Sequence, residues 1–99
     1  MKPYGFQSEA RAEFLDAIRY YQAQQRGLGD RFLEAVGEAV QRIRERPLLY
    51  QEIEADIRQC LVEGFPYGLI YRLKNEQIEI LAVMHLHRQP GYWKERASG

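Results

Sequence analysis

The fold of this chain is decided by the stretch Tyr67–His87, which reads YGLIYRLKNEQIEILAVMHLH. Its aliphatic and aromatic residues form two runs of strand length, a composition typical of β-structure. The polar pair Asn75-Glu76 separates the runs, and a connection of two residues joins antiparallel neighbours. The sequence therefore predicts a hairpin of two strands, Tyr67–Lys74 and Gln77–His87.

The register of this hairpin decides which side chains share a face. A two-residue turn places Lys74 opposite Gln77, and successive side chains of a strand point to opposite faces. One predicted face is apolar and is expected to lie beneath helices: Leu69, Tyr71, Leu73, Ile78, Ile80, Ala82 and Met84. The other face mixes charged, imidazole and aliphatic groups and is the predicted location of a site: Ile70, Arg72, Lys74, Glu79, Leu81, Val83 and His85, then His87.

Two helical segments precede the hairpin. Ser8 is a suitable N-cap for a first helix reaching about residue 26, and it follows a brief predicted strand at Lys2–Gln7. Gly27–Gly29 breaks this helix, Asp30 is the predicted cap of a second helix, and Pro47 ends it. The outer faces of both helices, which include Glu13, Arg19, Glu34, Glu38 and Arg42, are expected to be ordinary solvated surface.

The remaining segments complete an α+β domain. Ile57–Val62 is a predicted strand, and Leu48–Asp56 is expected to be a loop. The order is therefore β-α-α-β-β-β with a short C-terminal turn or helix, in a single domain over residues 1–99. Such an order favours a helical hairpin packed on one face of a small antiparallel sheet.

Arg58 has two possible positions. If the connection after its strand has three residues, Gly64–Pro66, Arg58 lies beside Arg72 on the polar face. If the connection has four residues, Arg58 lies beside Tyr71 in the core, where an unpaired guanidinium is costly. The cost of burial favours the first position.

Composition excludes several classes of protein. The formal net charge is zero, which argues against a broad, sequence-independent grip on nucleic acid. Cys60 is the single cysteine, so an internal disulfide or a cysteine metal cage is not expected. The two histidines lack neighbouring cysteines or paired carboxylates, and we expect no metal and no cofactor. A polar start and the lack of an apolar run of about 18 residues predict a cytoplasmic protein without a membrane anchor.

The C-terminal segment His85–Arg96 concentrates reactive side chains. It holds two imidazoles, a phenol, an indole and several cations in twelve residues. Pro90-Gly91 is expected to turn the chain, so that Tyr92 or Trp93 returns over the sheet.

With these residues in place, the whole chain resembles the RelE/ParE superfamily of toxins. The resemblance rests on the order and spacing of several short motifs rather than on any one of them. They are Ala10–Phe14, Tyr20-Tyr21, Gly27-Leu28-Gly29 with Phe32, Arg44–Pro47, Ile57-Arg58, Phe65–Arg72, and Ala82-Val83 with His85, Arg88 and Pro90–Trp93.

The resemblance implies a toxin that an antitoxin encoded beside it neutralises. Members of the superfamily either cleave mRNA in the ribosomal A site, as RelE-like toxins do, or poison DNA gyrase, as ParE-like toxins do. A RelE-like reaction needs a general base, an acid and cations on the phosphate, but no metal. In a RelE-like toxin, His85 or His87 would be the general base and Tyr92 would donate or relay a proton. Arg58, Arg72 and Arg88 would stabilise the phosphorane. Trp93 would stack on a nucleobase of the RNA.

Two features favour target binding over catalysis. The net charge is zero, and Glu52–Asp56 is acidic where RelE-like nucleases usually carry lysines. We therefore expect a ParE-like inhibitor of gyrase, with a ribosome-dependent endoribonuclease as the alternative and an inactive, antitoxin-tethered regulatory module as the third. Simpler structural roles also remain open: Arg72 pairing with Glu79, and Tyr92-Trp93 covering an open edge of the core.

Overall fold

The computed structural model describes residues 1–98 and contains two helices packed on one face of a five-stranded sheet. The strands are β1 (Tyr4–Phe6), β2 (Gln51–Glu54), β3 (Ile57–Leu61), β4 (Tyr67–Lys74) and β5 (Gln77–His85), and the helices are α1 (Ser8–Gln24) and α2 (Leu28–Glu45). A 3₁₀ turn, Lys94–Ala97, follows. The predicted α+β class and the predicted β-α-α-β-β-β elements are confirmed, and β2 is an additional strand between α2 and β3. The sheet order is β1-β5-β4-β3-β2, and it is mixed because β1 runs parallel to β5.

The helix boundaries differ slightly from the predicted caps. The Gln7 side chain accepts hydrogen bonds from the backbone N–H groups of Glu9 and Ala10 at 2.9 and 3.3 Å, so Gln7 and not Ser8 caps α1. Gly27 precedes α2 in the left-handed region with φ 85°, which favours glycine, so Asp30 lies inside the helix instead of capping it.

The two helices approach closely at Gly29. A Cβ at this position would lie 2.7 Å from the carbonyl oxygen of Ile18, so only glycine fits without displacing α1. Behind this contact, the main core fills the space between the helices and the sheet. Its fully buried large side chains include Phe32, Val36, Ile43, Leu69, Tyr71, Ile78 and Ile80.

The β4–β5 hairpin confirms the predicted register only as far as Ile80. Lys74 pairs with Gln77, and Tyr71 pairs with Ile80, as the two-residue turn requires. The next pair, however, joins Ile70 to Ala82, and Leu81 is an additional residue that forms a β-bulge.

The bulge inverts the alternation of side chains in the last part of β5. Val83 packs in the main core, whereas Ala82 and Met84 belong to the outer face of the sheet, so their predicted faces were wrong. For the same reason His85 lies on the helix side, opposite Tyr67 in the register. The prediction that His85 shares a face with Arg72 is therefore wrong.

A second, smaller core covers the outer face of the sheet. It contains Ile57, Ile70, Leu81, Ala82 and Trp93, and the Trp93 side chain is only 3% exposed. The C-terminal segment does return over the sheet after Gly91, as predicted. Tyr92 and Ala97 pack against the edge of this outer core.

Two predictions about the β2–β3 region were also wrong. The Val62 N–H bonds to the Tyr67 carbonyl oxygen at 2.9 Å, so the loop closed by this pair has four residues, Glu63–Pro66, and not three. This loop length pairs Arg58 with Tyr71 instead of placing it beside Arg72. The guanidinium avoids the expected cost of burial because it is partly exposed and donates to the Tyr50 carbonyl oxygen at 2.8 Å.

The segment predicted to be a loop contains β2, an edge strand antiparallel to β3. All four of its residues are exposed, and its register is irregular between Glu52 and Glu54. Because a strand exposed on both faces needs no apolar alternation, its sequence carries no strand pattern. No helix within residues 1–98 is long and apolar enough to cross a membrane.

Candidate functional site

The bulge in β5 leaves two backbone groups in need of partners beyond the end of β1. β1 pairs with β5 only up to Ile80. Past that point the Val83 N–H donates to Glu13 Oε1 at 3.0 Å, and the Leu81 carbonyl oxygen accepts from Arg96 Nη1 at 3.0 Å. Side chains from α1 and the C-terminal turn thus replace the missing strand partners, as buried backbone groups require.

Glu13 is the centre of this polar network. Its carboxylate also accepts two hydrogen bonds from Arg96, at 2.9 and 3.1 Å, and one from the Tyr92 hydroxyl at 2.7 Å. The Glu13 and Arg96 side chains are 17% and 11% exposed, so water screens this bidentate pair poorly. The expectation that Glu13 is solvated surface was wrong. Glu13 lies three residues after the buried Ala10 and four before the buried Ala17, so all three share one face of α1.

The surroundings of the network raise the pKa values of two of its members, Tyr92 and Arg96. Burial, followed by the hydrogen bond to Glu13, raises the pKa of Tyr92 well above its ordinary value of 10.0. The hydrogen bond to Glu13 likewise raises the pKa of the Arg96 guanidinium. At neutral pH Tyr92 is therefore a committed donor to Glu13 and a poor proton source for a substrate.

Arg88 lies against the outer side of this network. Its guanidinium carbon is 3.9 Å from the centroid of the Tyr92 ring, within the range of a cation–π interaction. The Arg96 guanidinium carbon is 5.1 Å from the same centroid. The Tyr92 ring therefore contacts one exposed and one largely buried cation.

His85 and His87 lie next to each other at the end of β5. Their ring centroids are 5.1 Å apart, and the His85 Nδ1 accepts the backbone N–H of His87 at 3.1 Å. This bond leaves Nε2 of a neutral His85 ring as the protonated nitrogen. The His85 ring also packs edge-on against Tyr67, at 5.1 Å between centroids.

The predicted nuclease residues do not form one cluster. His85, His87, Arg88 and Tyr92 lie near α1, but Arg72 is on the outer face, where its Nε donates to Glu79 at 2.7 Å and its Nη1 to the Ala97 carbonyl at 2.7 Å. Arg58 is bonded to Tyr50 at the β3 side of the sheet.

Trp93 also lies away from the four residues near α1. The prediction that it stacks on a nucleic-acid base does not fit its position, because the outer core covers the indole.

A shallow groove lies between α1 and the end of β5. Its volume is about 310 Å³, similar to the smallest ligand-binding clefts. Its lining residues are Glu13, Asp16, Ala17, Tyr20, Tyr67, Val83, His85 and Arg88. Within residues 1–98, no group of three or more His, Cys, Asp or Glu side chains is arranged to hold a metal ion.

Comparison with known proteins identifies the family of this chain. The family model described as "ParE toxin of type II toxin-antitoxin system, parDE" matches residues 4–90. The chain belongs to the ParE toxin family. The resemblance to RelE/ParE toxins is thus confirmed, and the chain is a ParE-family toxin of a type II toxin–antitoxin system.

The fold of this ParE-family toxin also matches a solved structure. That structure, titled "Chromosomal ParDE TA system from P. aeruginosa", aligns with a TM-score of 0.64 over 86% of this chain and 96% of that chain. The sequences are 18% identical, so this match concerns the fold alone. No curated protein sequence matches the chain.

The Glu13 network should contribute measurably to stability. We expect Glu13→Gln to lower the free energy of unfolding by about 2–3 kcal/mol, because Arg96 loses its partly buried counter-charge. Urea denaturation would measure this change, and Glu34→Gln on the exposed side of α2 is the matched control. A loss of less than about 0.5 kcal/mol for Glu13→Gln would contradict the structural role of the pair.

The raised pKa of Tyr92 predicts a loss of stability at alkaline pH. Above about pH 10 the unfolded tyrosine ionises while the folded one stays protonated, so folding stability is present below that pH and falls as pH rises above it. Tyr71, whose pKa burial also raises, acts in the same direction. Urea titrations between pH 8 and 11 should give a shallower decline for Tyr92→Phe than for the wild type, and equal slopes would refute the assignment.

Proposed function

We propose that this ParE-family toxin arrests growth by binding a protein target in the cytoplasm, with DNA gyrase as the target, until an antitoxin neutralises it. The observation that carries the proposal is the dispersal of the predicted nuclease groups. His85 lies on the helix side of the sheet, whereas Arg72 lies on the outer face in a pair with Glu79. A phosphate positioned beside one of them is separated from the other by the sheet.

The remaining chemistry also argues against RNA cleavage. Attack by a 2′-OH needs a base, an acid and cations around the same phosphate. Tyr92 is hydrogen-bonded to Glu13, and burial keeps its proton more tightly held than usual. Arg58 and Arg72 also have partners in the fold. Of the predicted catalytic groups, His85, His87 and Arg88 remain together, which is an incomplete set.

The surface chemistry is better suited to a protein partner. The chain has no net charge, so it lacks the broad positive field that holds a nucleic-acid backbone. Around the groove, Tyr20 is 58% exposed and Leu86 is 41% exposed, close in sequence to His87 and Arg88. Tyr and Arg are the residue types that contribute most to protein–protein binding energy.

An antitoxin partner is proposed from family membership. The family model describes toxins of two-component systems, and the structure matched in fold is a ParDE toxin–antitoxin system from P. aeruginosa. We therefore expect a small protein encoded beside this one to bind it and to suppress its toxicity.

Two assays on the purified toxin distinguish target binding from catalysis. We expect inhibition of gyrase supercoiling at stoichiometric toxin, and no new RNA ends in primer extension on translated mRNA. Addition of the antitoxin should restore supercoiling, while Tyr92→Phe serves as a test for any residual cleavage. Cuts in the ribosomal A site that His85→Ala abolishes would replace the proposal with the nuclease alternative. Unimpaired growth on expression of soluble toxin alone would favour the inactive regulatory module.

A further inference from the structure

The groove between α1 and β5 has an unbalanced charge. Each of its carboxylates has a cation of its own: Glu13 is bound by Arg96, and the exposed Asp16 lies 3.5 Å from Arg19 on the same helix. Arg88, in contrast, has no ion pair with any residue in the described part of the chain. A positive charge at the edge of a concave surface is thus left for a partner.

The Arg88 guanidinium is also held in position before any partner arrives. It lies 3.9 Å from the centroid of the Tyr92 ring, and the Tyr92 hydroxyl is anchored to Glu13 at 2.7 Å. A stacked guanidinium has already lost part of its side-chain freedom, so a new hydrogen bond costs less entropy. Its planar edge remains available for two parallel hydrogen bonds to a carboxylate.

The rest of the groove offers apolar and aromatic contacts. Ala17 and Val83 are buried at its base, and Tyr67 and the half-exposed Tyr20 are among its lining residues. A nucleic-acid backbone does not suit this surface, because Arg88 is the one cation among the groove's described lining residues and a row of phosphates needs several. A partner with an apolar side chain next to an acidic one matches both the apolar floor of the groove and the guanidinium of Arg88.

We propose that this groove receives an acidic side chain and an adjacent apolar side chain of the antitoxin, with Arg88 pairing with the carboxylate. The inference rests on the proposed function only in requiring an antitoxin, and it is independent of the toxin's target. An antitoxin has to hold the toxin for long periods, and a groove whose anchor is preorganised by a partly buried network favours slow dissociation.

The test measures the affinity of the antitoxin, purified from the toxin's own operon, for the intact toxin and its variants. Arg88→Ala should raise Kd about tenfold or more, and Arg88→Lys should give a smaller rise because it keeps the charge without the planar stack. Arg46→Ala is the matched control, since Arg46 is an exposed arginine just after α2. Its Kd should stay within about twofold of the wild type.

A double-mutant cycle identifies the partner group. Each Asp and Glu of the antitoxin is replaced by Ala and combined with Arg88→Ala, and we expect one position at which the two effects are strongly non-additive. If Arg88→Ala lowers the thermal midpoint of the free toxin, Tyr20→Ala provides a second variant, because its exposed ring can be removed without opening the core. Tyr20→Ala should then weaken antitoxin binding.

Three results would overturn the proposal. The first is an unchanged Kd for folded Arg88→Ala or, where that variant is unstable, for Tyr20→Ala. The second is an equal loss of affinity for Arg46→Ala, which would indicate a general electrostatic effect. The third is unchanged antitoxin binding together with lost growth arrest, which would assign the groove to the target. A failed gyrase assay would reject the proposed target but would leave these affinities, and this inference, unaffected.

Discussion

The pairing of Glu13 with Arg96 across the β5 bulge is the interaction on which the rest of the structure depends. Glu13 receives the Val83 N–H, and Arg96 donates to the Leu81 carbonyl, so together they satisfy the backbone where β1 has ended. The same carboxylate binds Tyr92 and thereby holds the C-terminal segment over the outer face. Without this network, the Leu81 carbonyl and the Val83 N–H would be left unpaired, and the C-terminal segment would keep only its other contacts with the outer face, such as the Arg72 bond to Ala97.

The features of the fold that depend on neighbouring residues could be predicted from the sequence. The Asn75-Glu76 turn fixes the register of its neighbours, and the pairs up to Tyr71 with Ile80 follow directly from it. The extra residue at Leu81 is not encoded by the turn, and the side chains that bond the backbone around it, Glu13 and Arg96, are distant in the chain. One unpredicted residue was enough to move His85 to the opposite face.

The site was predicted less well than the fold for the same reason. The order and spacing of motifs along the chain, including those in His85–Arg96, were sufficient to indicate the toxin superfamily, but the roles of the residues in His85–Arg96 depend on contacts with α1. Tyr92 resembles a proton donor in sequence, yet in the structure its proton is committed to Glu13. The spacing of Glu13 from Ala10 and Ala17 placed it on the buried side of α1, and that signal was available in the sequence.

The face of the sheet on which His85 lies tests most directly whether β5 contains the bulge, and solution NMR can determine it. The structure predicts nuclear Overhauser effects between the ring protons of His85 and Tyr67, slow exchange of the Val83 amide proton, and no Overhauser effect from His85 to Arg72. Overhauser effects joining His85 to the side chains of Arg72 or Glu79, with a freely exchanging Val83 amide, would contradict it. Such a result would restore the regular strand and bring the predicted nuclease groups onto one face.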